Sequence, residues 1–115
     1  MFDIGPYVGR TYETMDCWQL LQEVYRNEYN IKLPRLGPER ELVGDWVQIR
    51  LGYEKPGDMI VFKMGLLRRH VAVVIDPKSG TMLHTESGAN CHTERYTDKA
   101  WIDRIQKIYR HKARY

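Results

Sequence analysis

The sequence predicts an α+β fold with N-terminal helices packed on an antiparallel β-sheet, and three observations predict it. A strongly amphipathic stretch with a helix-capping signal lies near the start, at 16–29. The apolar period changes from helical to extended after Lys55-Pro56-Gly57-Asp58. Beyond that point short β-prone runs alternate with turn chemistry, so helices come first and antiparallel strands follow. The chain has 115 residues and shows no internal repeat, low-complexity segment or Gly/Ser linker, so 1–115 reads as one domain with its own core.

The first helix is expected over Cys17–Tyr29, with Asp16 as N-cap and Gln19 at the capping-box position. Its inward stripe is Cys17, Leu20, Leu21, Val24 and Tyr25, and Asn30 and Pro34 end it. Pro38 can start a second helix, because Leu42, Val43, Trp46 and Ile49 recur at helical spacing until Gly52. Lys55-Pro56-Gly57-Asp58 has the Pro-then-Gly order of a type II turn. Strands are then expected at Met59–Lys63, Arg69–Asp76 and Thr81–Glu86, with Asp76-Pro77-Lys78-Ser79-Gly80 turning the last two into a hairpin. Thr93–Tyr96 reads as a further strand, Asp98–Arg104 as a helical turn and Ile105–Tyr109 as the final strand.

Bulk properties exclude several classes of function. Net charge is only +3, from 18 basic and 15 acidic side chains, which does not call for a nucleic-acid partner. Arg104 to Tyr115 carries five cations and no acid, and it reads as a solvated tail, with attraction to an anionic polymer as the alternative. The longest aliphatic run, Val71–Ile75, falls far short of the roughly 20 residues that span a bilayer, so no membrane partner is expected. Met1-Phe2-Asp3-Ile4-Gly5-Pro6-Tyr7 has neither the basic start nor the apolar core of a secretory signal, so synthesis in the cytoplasm without a signal peptide is expected. The two cysteines, Cys17 and Cys91, are expected as free thiols.

The chemistry centres on Cys17. It opens the first helix, and a helix N-terminus with a nearby imidazolium lowers a thiol pKa from about 8.5 into the range of roughly 3.5 to 7.5. In the hairpin, the five-residue loop 76–80 puts even-numbered positions of both strands on one face, so His70 and His84 stand within one cross-strand step. That pattern suits a nucleophile with a base, His70, and an orienting partner, His84. Glu86 shares the face and competes as the orienter. Cys91 and His92 read as structural residues of a loop. A metal set of Cys17, His70, His84 and His92 lacks both CxxC and HxxxH spacing, so neither metal nor cofactor is expected.

Gly9-Arg10-Thr11-Tyr12, Asp16-Cys17-Trp18, Pro56-Gly57-Asp58-Met59-Ile60-Val61-Phe62, His70-Val71-Ala72-Val73-Val74 and Leu83-His84 together resemble the NlpC/p60 family of cell-wall cysteine peptidases. The small members found in phage tails are the most similar, through Val24-Tyr25, Leu33-Pro34, Trp101 and Tyr109-Arg110. The resemblance implies a papain-like fold and hydrolysis of amide bonds in peptidoglycan stem peptides. It implies Cys17 as nucleophile, His70 as base and His84 as third polar residue, with Tyr12, Trp18 and Glu86 meeting substrate. Tyr7 is the alternative to Tyr12, and the related CHAP-type amidases would promote Glu86 over His84. Trp18-Gln19 departs from the small pair that usually follows the cysteine. Phage tail proteins are the implied partners, and a virion tail at the bacterial cell wall is the implied location. A toxin amidase, a thioester acyltransferase and a catalytically silent tail assembly protein remain as other readings.

Overall fold

In the computed structural model, which describes residues 2–35, 44–66 and 68–115, helix α1 (Cys17–Tyr29) begins at the capping box expected of it. The Asp16 carboxylate accepts from the Gln19 N–H at 2.8 Å, and the Gln19 side chain accepts from the Asp16 N–H at 2.9 Å. Two otherwise orphaned donors are thereby satisfied, which fixes where the helix starts and hence where Cys17 stands. Asn30 ends α1 in the left-handed conformation, with φ 55°.

Six strands form one antiparallel sheet: β1 (Trp46–Ile49), β2 (Met59–Lys63), β3 (Arg69–Asp76), β4 (Thr81–His84), β5 (His92–Arg95) and β6 (Ile105–His111). Their spatial order is β1-β6-β2-β3-β4-β5. The short helix α2 (Lys99–Ile102) precedes β6. This is the α+β architecture read from the sequence, with α1 packed on one sheet face.

Each face of the sheet carries its own core. Met59, Val61, Val71, Val73, Ile75 and Leu83 pack under Leu20, Leu21, Val24 and Tyr25 of α1. Their even-numbered neighbours, Ile60, Phe62, Ala72, Val74 and Met82, pack with Tyr96, Trp101 and Ile108 on the other face. Because β2 and β3 are covered on both sides, they read as unbroken apolar runs rather than alternating ones.

The helix expected from Pro38 does not reach Trp46 and Ile49, which lie in β1 opposite His111 and Ile108 of β6. Residues 36–43 lie outside the described residues. A three-residue spacing suggested one helical face, yet in a strand it points two side chains to opposite faces. Trp46 joins the α1-side core and Ile49 the other, so both are buried without a helix.

The turn before β2 forms as read: Asp58 N–H donates to the Lys55 carbonyl at 3.0 Å, and Gly57 has φ 91°. A Cβ on Gly57 would stand 2.2 Å from the Tyr29 hydroxyl, so glycine serves close approach as well as backbone freedom. Tyr25 of α1 donates to the Gly57 carbonyl at 2.5 Å and ties the helix to this turn.

The basic C-terminal stretch is not a solvated tail. Strand β6 extends to His111, and Arg110 and Arg114 turn inward onto Asp58, whose side chain is fully buried. Arg110 donates from Nε to Oδ1 at 3.0 Å and from NH2 to Oδ2 at 2.8 Å, while Arg114 donates to Oδ1 at 2.8 Å. Asp58 thus joins the start of β2 to the end of the chain, and without it two buried guanidinium groups face each other. Asp58→Ala is expected to lower unfolding free energy by about 3–5 kcal/mol in urea titrations; a loss below about 1 kcal/mol would contradict this role for the network.

Candidate active site

The α1 cap and the β3–β4 hairpin determine the placement of the three residues singled out for chemistry. Cys17 is the first residue of α1, partly exposed and packed against the α1-side core. The backbone of Val71, the residue after His70 on β3, is close enough to the sulfur to favour its thiolate form. The thiol therefore meets the sheet at the strand backbone beside His70. Among the described residues, no hydrogen bond joins the sulfur to either imidazole.

The expected thiol activation is not present at rest. Burial pushes the Cys17 thiol above its ordinary value, Val71 N–H and the first amides of α1 pull it down, and the Asp16 carboxylate beside it pushes it up again. The net direction is upward. The helix-terminal field is outweighed because the same placement that brings the sulfur to α1 also removes water from it.

The two imidazoles come together as the strand parity required. Val74 pairs with Met82 and Val73 with Leu83, so even positions face even positions across the hairpin. His70 Nε2 lies 2.7 Å from His84 Nδ1, both rings buried. Trp101 packs over the pair with ring centroids 5.8 Å from His70 and 5.0 Å from His84, and Phe62 stands 6.0 Å from His70.

A 2.7 Å contact between two ring nitrogens requires that one donate and the other accept. His84 Nε2 lies 3.6 Å from the Glu94 carboxylate and 3.8 Å from that of Glu86, and this negative field favours its proton on Nε2. Nδ1 of His84 is then the acceptor and His70 Nε2–H the donor. The remaining nitrogen of His70, Nδ1, has no hydrogen-bond partner among the described residues. Burial, then the charge of His84, pushes His70 down to about 3. Burial, then His92, pushes His84 down to about 4. Both rings are neutral near pH 7, so the resting arrangement is thiol plus imidazole rather than thiolate plus imidazolium.

Glu86 is half-buried and lies beyond His84, so the residue in contact with His70 is His84. Tyr12 is half-buried, whereas Tyr7 is a core residue whose hydroxyl accepts from Asn27 at 3.1 Å. Trp18, expected at the substrate, is buried instead, and its indole N–H donates to the Pro34 carbonyl at 2.9 Å, anchoring the segment after α1. Cys91 is buried and its N–H donates to the Arg10 carbonyl at 2.7 Å.

His92 is not a loop residue: it opens β5 opposite His84, with ring centroids 4.7 Å apart. Glu94 was not singled out from the sequence, and Trp101, whose N–H donates to the Glu94 carboxylate, entered only through the family resemblance and with no role at the site. A signal for Glu94 existed in strand parity, since the seven-residue connection 85–91 again pairs even positions with even ones.

A model of the NlpC/P60 family matches residues 6–110. The murein DD-endopeptidase/murein LD-carboxypeptidase MepS of Escherichia coli strain K12 is 28% identical over 80 residues, 70% of this chain and 42% of that protein. The same protein of Escherichia coli O157:H7 matches equally. The chain therefore spans less than half the length of these curated relatives. An NlpC/P60 family protein from Bacillus cereus ATCC 10987 superposes with TM-score 0.67 at 21% identity, over 84% of this chain and 31% of that one. A lipoprotein-like NLP/P60 protein from Staphylococcus aureus Mu50 gives TM-score 0.64 at 22% identity, over 83% of this chain and 31% of that one.

The raised thiol makes a direct prediction for the free protein. Alkylation of Cys17 by iodoacetamide should rise with pH through a midpoint at or above the ordinary thiol value of about 8.5. A reactive plateau extending below about pH 6 would instead reveal a preformed ion pair.

Proposed function

The chain belongs to the NlpC/P60 family, and on that premise we propose that it is a cysteine peptidase that hydrolyses amide bonds in the stem peptides of bacterial peptidoglycan. The observation that carries this reading is the hydrogen-bonded His70–His84 pair, which leaves His70 Nδ1 free to serve as a base, on the strand whose next residue, Val71, lies near the Cys17 thiol.

In this mechanism substrate binding brings Cys17 Sγ into contact with His70 Nδ1, a contact that free enzymes often form only in the Michaelis complex. As sulfur attacks the scissile carbonyl, its proton passes to Nδ1, and the imidazolium that forms is stabilised through its Nε2–H bond to His84. Collapse of the tetrahedral intermediate breaks the C–N bond, and Nδ1–H protonates the leaving amine. A thioester remains on Cys17. Water then attacks it with His70 again taking the proton, which releases the acid and restores the thiol. The carboxylates beyond His84 keep its proton on Nε2, so that Nδ1 stays available to His70.

We extend the proposal to location, as a component of a phage tail acting at the cell wall with other tail proteins as its neighbours. The support is the resemblance at Val24-Tyr25, Leu33-Pro34, Trp101 and Tyr109-Arg110. Mass spectrometry of purified particles from a phage encoding the chain should find it among tail proteins; its absence there would overturn the location and leave the chemistry standing.

Digestion of purified peptidoglycan, with released fragments identified by mass spectrometry, tests the reaction. Cys17→Ala should abolish cleavage, and His70→Ala should reduce kcat by about 10²–10⁴-fold. His84→Ala should lower kcat by about 10–100-fold with little change in KM. No cleavage by the wild type, or undiminished cleavage by Cys17→Ala, would overturn the proposal.

A further inference from the structure

His84 Nε2 is buried and has no hydrogen-bond partner among the described residues. An orphaned buried ring nitrogen costs about 1–3 kcal/mol, and this one aims at three further donor groups. The Glu94 and Glu86 carboxylates are 3.6 and 3.8 Å away, His92 Nε2 touches the same Glu94 oxygen at 2.6 Å, and the four donor atoms lie within 4.8 Å of one another. We propose that His84, Glu86, His92 and Glu94 form a binding site for a divalent transition-metal ion of the Zn²⁺ class, and that the bound ion silences the peptidase. The silencing half rests on the function proposed above; the binding half does not.

Two imidazoles and two carboxylates are the ligand types that zinc takes in four-coordinate sites, and the two negative charges cancel that of the ion. Ligands about 2 Å from a tetrahedral ion stand roughly 3.3 Å from each other, and the spacings of 3.6, 3.8 and 2.6 Å bracket that value while no pair exceeds 4.8 Å. The partners that a metal centre would need behind its ligands are present. Each histidine ligand should give its second ring N–H to a fixed acceptor. His92 Nδ1 has the Asn90 carbonyl at 2.6 Å, and His84 Nδ1 has His70 Nε2 at 2.7 Å. Trp101 holds the other oxygen of the Glu94 carboxylate.

Occupancy acts on the base through the shared hydrogen bond. A metal takes the lone pair of His84 Nε2, so the proton of that ring must sit on Nδ1 and be donated to His70 Nε2. The proton of His70 then sits on Nδ1. Each ring keeps a single proton and none is lost from the pair, but His70 Nδ1, the nitrogen that the proposed mechanism gives to the thiol, now carries a hydrogen. It cannot accept the proton of Cys17, and the first step of hydrolysis is blocked without any contact between metal and sulfur.

The test uses protein stripped with EDTA and desalted, titrated calorimetrically with zinc chloride in a non-coordinating buffer. One ion per chain with Kd below about 10 μM is expected, weakened at least about tenfold in His92→Gln and in Glu86→Gln, and unchanged in Cys17→Ala. Having two ligand variants keeps the result readable should one fail to fold. No stoichiometric binding, equal binding by the ligand variants, or loss of binding in Cys17→Ala, which would mean a thiol-held ion, would overturn the site. In parallel, peptidoglycan hydrolysis by the wild type should fall as zinc rises through the same Kd. His92→Gln should retain metal-free activity and resist zinc. Zinc binding with undiminished hydrolysis would overturn the silencing, whereas a wild type inactive even in EDTA would count against the peptidase reading and leave the calorimetric answer intact.

Discussion

The proposed chemistry turns on one proton held between His70 and His84. Two neutral imidazoles 2.7 Å apart share a single N–H across the contact, so the state of one ring dictates the state of the other. With the proton on His70 Nε2, Nδ1 is a base; with the proton on His84 Nδ1, it is not. The sheet serves this contact. Strand parity brings the rings to one face, Trp101 and Phe62 keep water from them, and the carboxylates of Glu86 and Glu94 bias the outer nitrogen. The Asp58 network fastens the final strand to the turn before β2 and so steadies the sheet that carries them.

The thiol is organised by an opposing balance. The capping box sets Cys17 at the positive end of α1, and the Val71 backbone of β3 lies near the sulfur, yet burial outweighs both and the thiol is held protonated. The imidazoles are likewise held neutral by burial. Under the proposed function, a site that keeps both partners uncharged at rest would pair them only when substrate closes over the sulfur, which ties nucleophile formation to the presence of a scissile bond. The cost is slow background reactivity.

What the sequence made legible was local. The capping box at Asp16 and Gln19, the Pro-Gly turn at 55–58 and the odd-length hairpin loop are all decided within a few residues, and they sufficed to place Cys17, His70 and His84. The illegible parts depend on chain segments far apart. Trp46 and Ile49 imitate a helical spacing because two cores lie on opposite sides of one strand. Arg110 and Arg114 look like a solvated cationic end until Asp58, more than fifty residues earlier, is found buried between them. His92 and Glu94 face His84 only through the pairing of β4 with β5, which required extending the parity argument across one more connection. The partner of Trp18 is likewise remote from it in sequence, the Pro34 carbonyl in the segment after α1.

Histidine tautomers are directly observable, and long-range ¹H–¹⁵N NMR on the metal-free protein at pH 7 tests the shared-proton arrangement most directly. The account predicts His70 protonated on Nε2 with an unprotonated Nδ1, and His84 protonated on Nε2. Finding the His70 proton on Nδ1 in the metal-free state would leave no base for the thiol and would contradict it.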